Sequence, residues 1–166
     1  MLSWIWRDKN IATRLARPNY VNRHQGCTAL IIGTGPSLSK HWRQVEELRI
    51  KYNAVTLGAN NVSEFLYPSY HCFTNRKRYI AFAGSIESSI SRVLLSPYLS
   101  KSLIKRHYRG PYETLMYIND HEQEFHINDG VIQASCRTAG VLLIGVAIVM
   151  GAERIFVAGM DGYNKL

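Results

Sequence analysis

The sequence predicts an α/β domain of the Rossmann-like, doubly wound kind, with a mostly parallel sheet. Two segments with β-branched members, the apolar run 29–32 and the segment 154–158, which is apolar after Arg154, are each followed at once by glycine, which is typical of buried parallel strands that end in tight turns. Short apolar runs and segments of helical periodicity alternate between them. This alternation favours a parallel sheet with helices on both faces.

The individual elements follow from local patterns along the chain. A serine cap, at Ser37 or Ser39, predicts a helix that runs to about Tyr52. The apolar residues that would face the sheet from this helix are Trp42, Val45, Leu48 and Ile50. The further predicted elements are strands at 54–58, 70–73, 92–95 and 113–118, helices at 77–86 and 135–150, and the strand at 154–158, predicted as buried. The stretch 97–129 mixes aromatic and charged residues and is a candidate lid.

Length and charge bound the organisation and the partners. The 166 residues, 46% of them hydrophobic, fit a single core, which we divide into a basic N-terminal arm at 1–26 and a nucleotide-binding domain at 27–166. The formal charge of +8 favours polyanionic partners such as nucleotides, nucleic acid or anionic lipid headgroups. No helix-turn-helix, zinc-finger or RNP pattern accompanies the basic residues, so no specific nucleic-acid partner is predicted.

Cysteine usage and hydropathy predict a cytoplasmic protein. Three cysteines without CxxC spacing indicate neither a disulfide framework nor a zinc site, and the histidines and carboxylates of 120–126 lack the spacing of metal ligands. No apolar run reaches the ~20 residues that span a bilayer. Trp4 and Trp6, beside basic residues, leave two interpretations open: peripheral contact with the inner membrane surface, or packing against the core, which we favour.

A glycine-rich loop follows the first predicted strand. It matches only the first half of the dinucleotide fingerprint, because Leu38 stands where the third glycine belongs. Two glycines let a ligand approach the backbone closely, and the N-terminus of the following helix favours an anion. A bulky residue at Gly35 is therefore expected to remove ligand binding and leave much of the fold. The predicted phosphate-binding residues are Gly33, Thr34, Gly35, Pro36 and Ser37.

Polar residues stand at the ends of three other predicted strands. Asn60 and Asn61 follow the second strand and Asn75 follows the third, where their amides would contact a base or a ribose, with turn formation as the alternative. Asp161 and Tyr163 follow the last strand, and we assign them catalytic or donor-facing roles. For Asp161 the alternative is a cap for a helix in a segment that is not part of this chain.

Three segments together resemble one superfamily: Gly33-Thr-Gly-Pro-Ser-Leu38, Gly58-Ala-Asn-Asn61, and the stretch from Thr138 to Met-Asp-Gly-Tyr163. It contains the bacterial CMP-sialic-acid sialyltransferases, the motility accessory factors that glycosylate flagellin, and the 6-hydroxymethylpterin diphosphokinase-like proteins. On the sialyltransferase pattern the loop at 33–37 lines the nucleotide phosphates and Asn60 contacts the nucleotide. The same pattern has Asn at the position of Thr34. Its residues that back or face the donor are Thr138, Ala139, Gly140, Asp161 and Tyr163.

The resemblance implies a nucleotide-dependent transferase of surface glycan synthesis, with a CMP-sugar as donor and a glycan or glycoprotein as acceptor. Two alternatives stay open: a pyrophosphoryl transferase of the pterin type, which needs ATP and Mg²⁺, and a noncatalytic nucleotide-binding remnant. The family's catalytic histidine is expected beyond Leu166. The resemblance therefore predicts a domain truncated at its C-terminus that lacks its general base, for which His121 and His126 are the candidate substitutes.

Overall fold

The centre of the molecule is a parallel sheet. In the computed structural model, which describes residues 19–119, 124–136 and 138–161, all pairings of this sheet are parallel. The predicted Rossmann-like α/β class is confirmed. The six strands are β1 Thr28–Ile32, β2 Val55–Ala59, β3 Tyr70–Phe73, β4 Arg92–Leu95, β5 Glu113–Thr114 and β9 Arg154–Ala158, in the order β5-β4-β3-β2-β1-β9.

Helices cover both faces of the sheet, as the doubly wound prediction requires. Along β1, Leu30 and Ile32 point to the face that carries the first helix, whereas Ala29 and Ile31 point to the opposite face and its main core. The helices of the described residues are α1 Ser37–Lys51, α2 Arg76–Phe82, α3 Lys101–His107 and α4 Ala139–Val149, with 3-10 turns at Val62–Glu64 and Ala83–Ser85. Helices α1, α2 and α3 lie on one face and α4 on the other.

A small second sheet packs beside α4. Its strands are β6 Tyr117–Asn119, β7 His126–Asn128 and β8 Val131–Ala134, with β8 in the middle, parallel to β6 and antiparallel to β7. The strand predicted at 113–118 is therefore two strands in two sheets, because Leu115 and Met116 between them are buried in the core. The described part of the candidate lid at 97–129 likewise contains α3 and strands of both sheets.

Packed residues begin before Cys27. The Tyr20 side chain is fully buried, and its hydroxyl accepts the Met116 N–H at 2.9 Å. Asn22 and His24 donate their backbone N–H groups to the carbonyls at the end of α4, each at 2.9 Å. Residues 1–18 of the predicted arm lie outside the described residues.

Some local predictions are wrong. The strand β9 lies at the edge of the sheet, so Val157 is 48% exposed instead of buried. Ile50, predicted on the inner side of α1, is 65% exposed. Helix α4 begins at Ala139, four residues later than predicted, because the Thr138 hydroxyl caps it by accepting the Val141 N–H. Among the described residues, no helix is both long and apolar enough to cross a membrane.

Candidate functional site

The sheet has a switch point between β1 and β9, where the strand order reverses. From β1 the sheet extends to β2 on one side, while β9 pairs on the other side, in register from Thr28 with Arg154 to Ile32 with Ala158. The loops that leave the carboxyl ends of β1 and β9 therefore meet at the same edge. In open α/β sheets this is the place where ligands bind.

The two loops are locked to each other by backbone contacts. Gly33 N–H donates to the Ala158 carbonyl at 2.9 Å, and Gly35 N–H donates to the Gly159 carbonyl at 2.8 Å. A Cβ atom added at Gly35 would lie 2.7 Å from the Gly159 oxygen, and one added at Gly33 would overlap the same oxygen. The sequence predicts a phosphate beside Gly35, and in the structure the chain after β9 occupies that space.

Asp161 supplies the N-terminal cap of α1. Its carboxylate accepts the Ser37 N–H at 2.7 Å and the Ser37 hydroxyl through its other oxygen, whereas Pro36, at the cap position, makes no side-chain cap. Ser39, the other predicted cap, donates its hydroxyl to the Pro36 carbonyl instead. The Ser37 hydroxyl and then its N–H lower the pKa of Asp161, so this group stays a carboxylate. It occupies the helix N-terminus where the sequence predicted a phosphate.

His41 belongs to this site and was missed from the sequence. Helix α1 is kinked at His41 (φ −113°, ψ 15°), and the ring nitrogen Nδ1 lies 2.8 Å from the Gln44 side-chain oxygen. The electrostatic interaction with His41 also lowers the pKa of Asp161, after the hydrogen bonds from Ser37. Spacing was the available signal, because His41 follows Ser37 by one helical turn. Ser37, His41, Gln44, Leu48, Val157 and Asp161 line a groove of about 460 Å³ beside β9.

Asn60 presents a buried acceptor at the neighbouring strand end. Its backbone is left-handed (φ 59°), and its carbonyl lies 2.8 Å from Nε2 of His71. The Asn60 side-chain oxygen is buried and has no hydrogen-bond partner among the described residues; the same holds for Nδ1 of His71. Burial lowers the pKa of His71, so its ring is neutral near pH 7. An unsatisfied buried acceptor is destabilising unless a ligand or a water pairs with it.

Two other predicted asparagines have local structural partners. The Asn75 side chain accepts the Arg78 N–H at 2.9 Å and caps α2, and the Asn61 amide donates to Glu64 at 3.0 Å. Both contacts are of the turn-forming kind that the sequence analysis gave as the alternative.

The start of α4 reaches the same edge of the sheet. A Cβ atom at Gly140 would overlap the side chain of Met160, the residue next to Asp161. The structure thus brings together the loop at 33–37, the segment from Thr138 through Ala139 to Gly140, and residues 159–161. Tyr163 and His121 lie outside the described residues.

The comparisons with known proteins add no family assignment. No family model matches the chain, and no curated protein sequence matches it. Within the described ranges, no three His, Cys, Asp or Glu side chains are grouped so that they could hold a metal ion.

Proposed function

We propose that this chain is a nucleotide-binding, transferase-like domain whose ligand lies at the carboxyl edge of the sheet. The observation that supports this proposal is the unsatisfied side-chain oxygen of Asn60, one strand away from the switch point between β1 and β9. The class of transferase rests on the sequence resemblance. We propose a glycosyltransferase of surface glycan synthesis that takes a CMP-sugar donor and a glycan or glycoprotein acceptor in the cytoplasm, at the inner membrane surface.

We assign one group of residues to the base and ribose of the nucleotide and its donor sugar, and another group to its phosphates. Asn60 receives a hydrogen bond from the base or ribose, and Thr138, Ala139 and Gly140 back the donor. Thr34 and Pro36 are exposed at the surface of the loop. The phosphates contact this loop, where they compete with Asp161 for the Ser37 N–H. Nucleotide binding is therefore expected to release Asp161, which then faces the donor together with Tyr163.

A matched pair of variants tests the role of Asn60. Asn60→Gly removes the amide and keeps the left-handed backbone; Asn53→Gly makes the same change at φ 43°, at the amino end of β2. Isothermal titration should show binding of CMP or a CMP-sugar weakened about two- to tenfold in Asn60→Gly, the worth of one hydrogen bond, and unchanged in Asn53→Gly. Equal affinity of the two variants for CMP or a CMP-sugar would show that Asn60 does not contact the nucleotide.

A nucleotide panel separates the alternatives. Thermal shift should show the largest stabilisation with cytidine nucleotides, because the resemblance is to proteins that use CMP-sugars. A ligand at a hundredfold excess over its Kd stabilises the fold by about 2.7 kcal/mol, which this assay detects. A preference for ATP with Mg²⁺ would instead favour the pterin-type pyrophosphoryl transferase. No response to any nucleotide would contradict nucleotide binding, and with it both the proposal and the nucleotide-binding remnant.

A further inference from the structure

The positive charge of this protein is concentrated in one part of the chain. Residues 76–109 contain eight Lys and Arg against one acidic residue, Glu87, a formal charge of +7, whereas the 75 residues before them contain nine Lys and Arg against four Asp and Glu, a formal charge of +5. Residues 110–161 contain seven Asp and Glu against two Arg. The protein therefore has a strongly basic segment followed by an acidic one, which the net charge alone does not reveal.

The fold places the basic segment on two adjoining helices. The Tyr79 hydroxyl of α2 donates to the Ile104 carbonyl of α3 at 3.1 Å, and the Tyr79 ring meets the His107 ring edge-on. Both helices pack their apolar sides on the same cluster over β3 and β4, which includes Phe73 and Val93. Their outer sides therefore point away from the sheet together.

The outer sides of the two helices carry only basic, small and aliphatic side chains. Neither helix contains an acidic residue, and Ile80, which follows Arg76 and Lys77 by one helical turn, is 42% exposed. We define the basic face as Arg76, Lys77, Arg78, Lys101, Lys105 and Arg106, which are all exposed and form no ion pair with any residue that the structure describes. Like charges on one face repel one another, and a negatively charged partner relieves that repulsion.

We infer that the basic face binds the surface of an anionic lipid bilayer. The exposed residues of both helices include the aliphatic Ile80, which can insert between lipid headgroups and acyl chains. They include no aromatic ring on which nucleic-acid bases could stack. Across the central sheet, exposed Glu124 and Asp129 flank the opposite face. A negative membrane would attract one face and repel the other, which fixes the orientation of the bound protein. This inference does not rest on the transferase assignment.

A charge-matched pair of variants tests the inference by vesicle co-sedimentation. The probe is phosphatidylcholine vesicles with and without phosphatidylglycerol. The face variant is Lys101→Gln/Lys105→Gln/Arg106→Gln; the control, Lys51→Gln/Arg92→Gln/Arg154→Gln, removes the same charge from exposed residues at the amino edge of the sheet. The wild type should bind only the anionic vesicles. The face variant should bind about a hundredfold more weakly, about fivefold for each charge, and the control within about threefold of wild type.

Ile80→Ser separates insertion from charge attraction alone. It keeps every charge and should weaken binding by about fourfold for each methylene-sized group that enters the bilayer. Circular dichroism and thermal melts establish that all variants are folded. Equal losses in the two triple variants would overturn the inference in favour of non-specific attraction by net charge. It would also be overturned by no wild-type binding to anionic vesicles, or by tighter binding to duplex DNA that the face variant loses.

Discussion

The contact between the loops after β1 and β9 predicts that a single methyl group at Gly35 destabilises the fold. A Cβ there would lie 2.7 Å from the Gly159 oxygen, whereas ordinary contacts begin at 3.4 Å, so the two loops must separate by about 0.7 Å. The Gly159 oxygen also accepts the Gly35 N–H at 2.8 Å, and that separation takes the bond out of range. One lost hydrogen bond of about 0.5–1.5 kcal/mol and overpacking strain of about 1–3 kcal/mol give a loss of roughly 2–4 kcal/mol.

The assay is thermal and urea unfolding of Gly35→Ala without ligand. For a chain of this size the expected loss lowers Tm by roughly 4–16 °C. Gly84→Ala is the control, because a Cβ at Gly84 meets no atom within 4 Å and should change the unfolding free energy by less than about 0.5 kcal/mol. If Gly35→Ala is as stable as Gly84→Ala and only nucleotide binding is lost, the glycine serves the ligand, as the sequence suggested, and the reasoning from loop contact is wrong.

Three further predictions concern the core. Tyr20→Phe leaves the buried Met116 N–H without an acceptor and should lower the free energy of unfolding by about 1–3 kcal/mol; an unchanged urea midpoint would show that this hydrogen bond adds no stability. Burial lowers the pKa of His71, so the unfolded chain binds this proton more readily and stability should fall as the pH drops below about 6.5; His71→Leu should flatten that dependence, and an identical slope would exclude His71 as its source. Burial raises the pKa of the Cys72 thiol, so Ellman's reagent should modify it only after unfolding, and rapid reaction of all three thiols in the native protein would contradict its burial.

Local pattern was enough to establish the fold class of this protein. The continuous apolar run that became β1 is buried by strand pairing and by helices, and its β-branched residues and the glycine that follows it are visible in any short window of sequence. The alternation of such runs with helical segments then leaves a parallel sheet as the arrangement that buries them. The sequence predicts that a ligand approaches the backbone at Gly33 and Gly35, and in the structure the chain after β9 contacts both glycines.

Tertiary structure alone decided which partner each group meets. Asp161 caps α1 from 124 residues away, and no local pattern encodes which N–H a distant carboxylate will accept. The edge position of β9 depends on strand order, so the exposure of Val157 could not be read from its apolar sequence. The basic residues of α2 and α3 lie in two separate stretches of the chain, and they form one face because both helices pack on the same apolar cluster, where Tyr79 contacts α3. Periodicity reports which side of an element is apolar, whereas pairing, capping and charge clustering depend on contacts between residues that are distant in sequence.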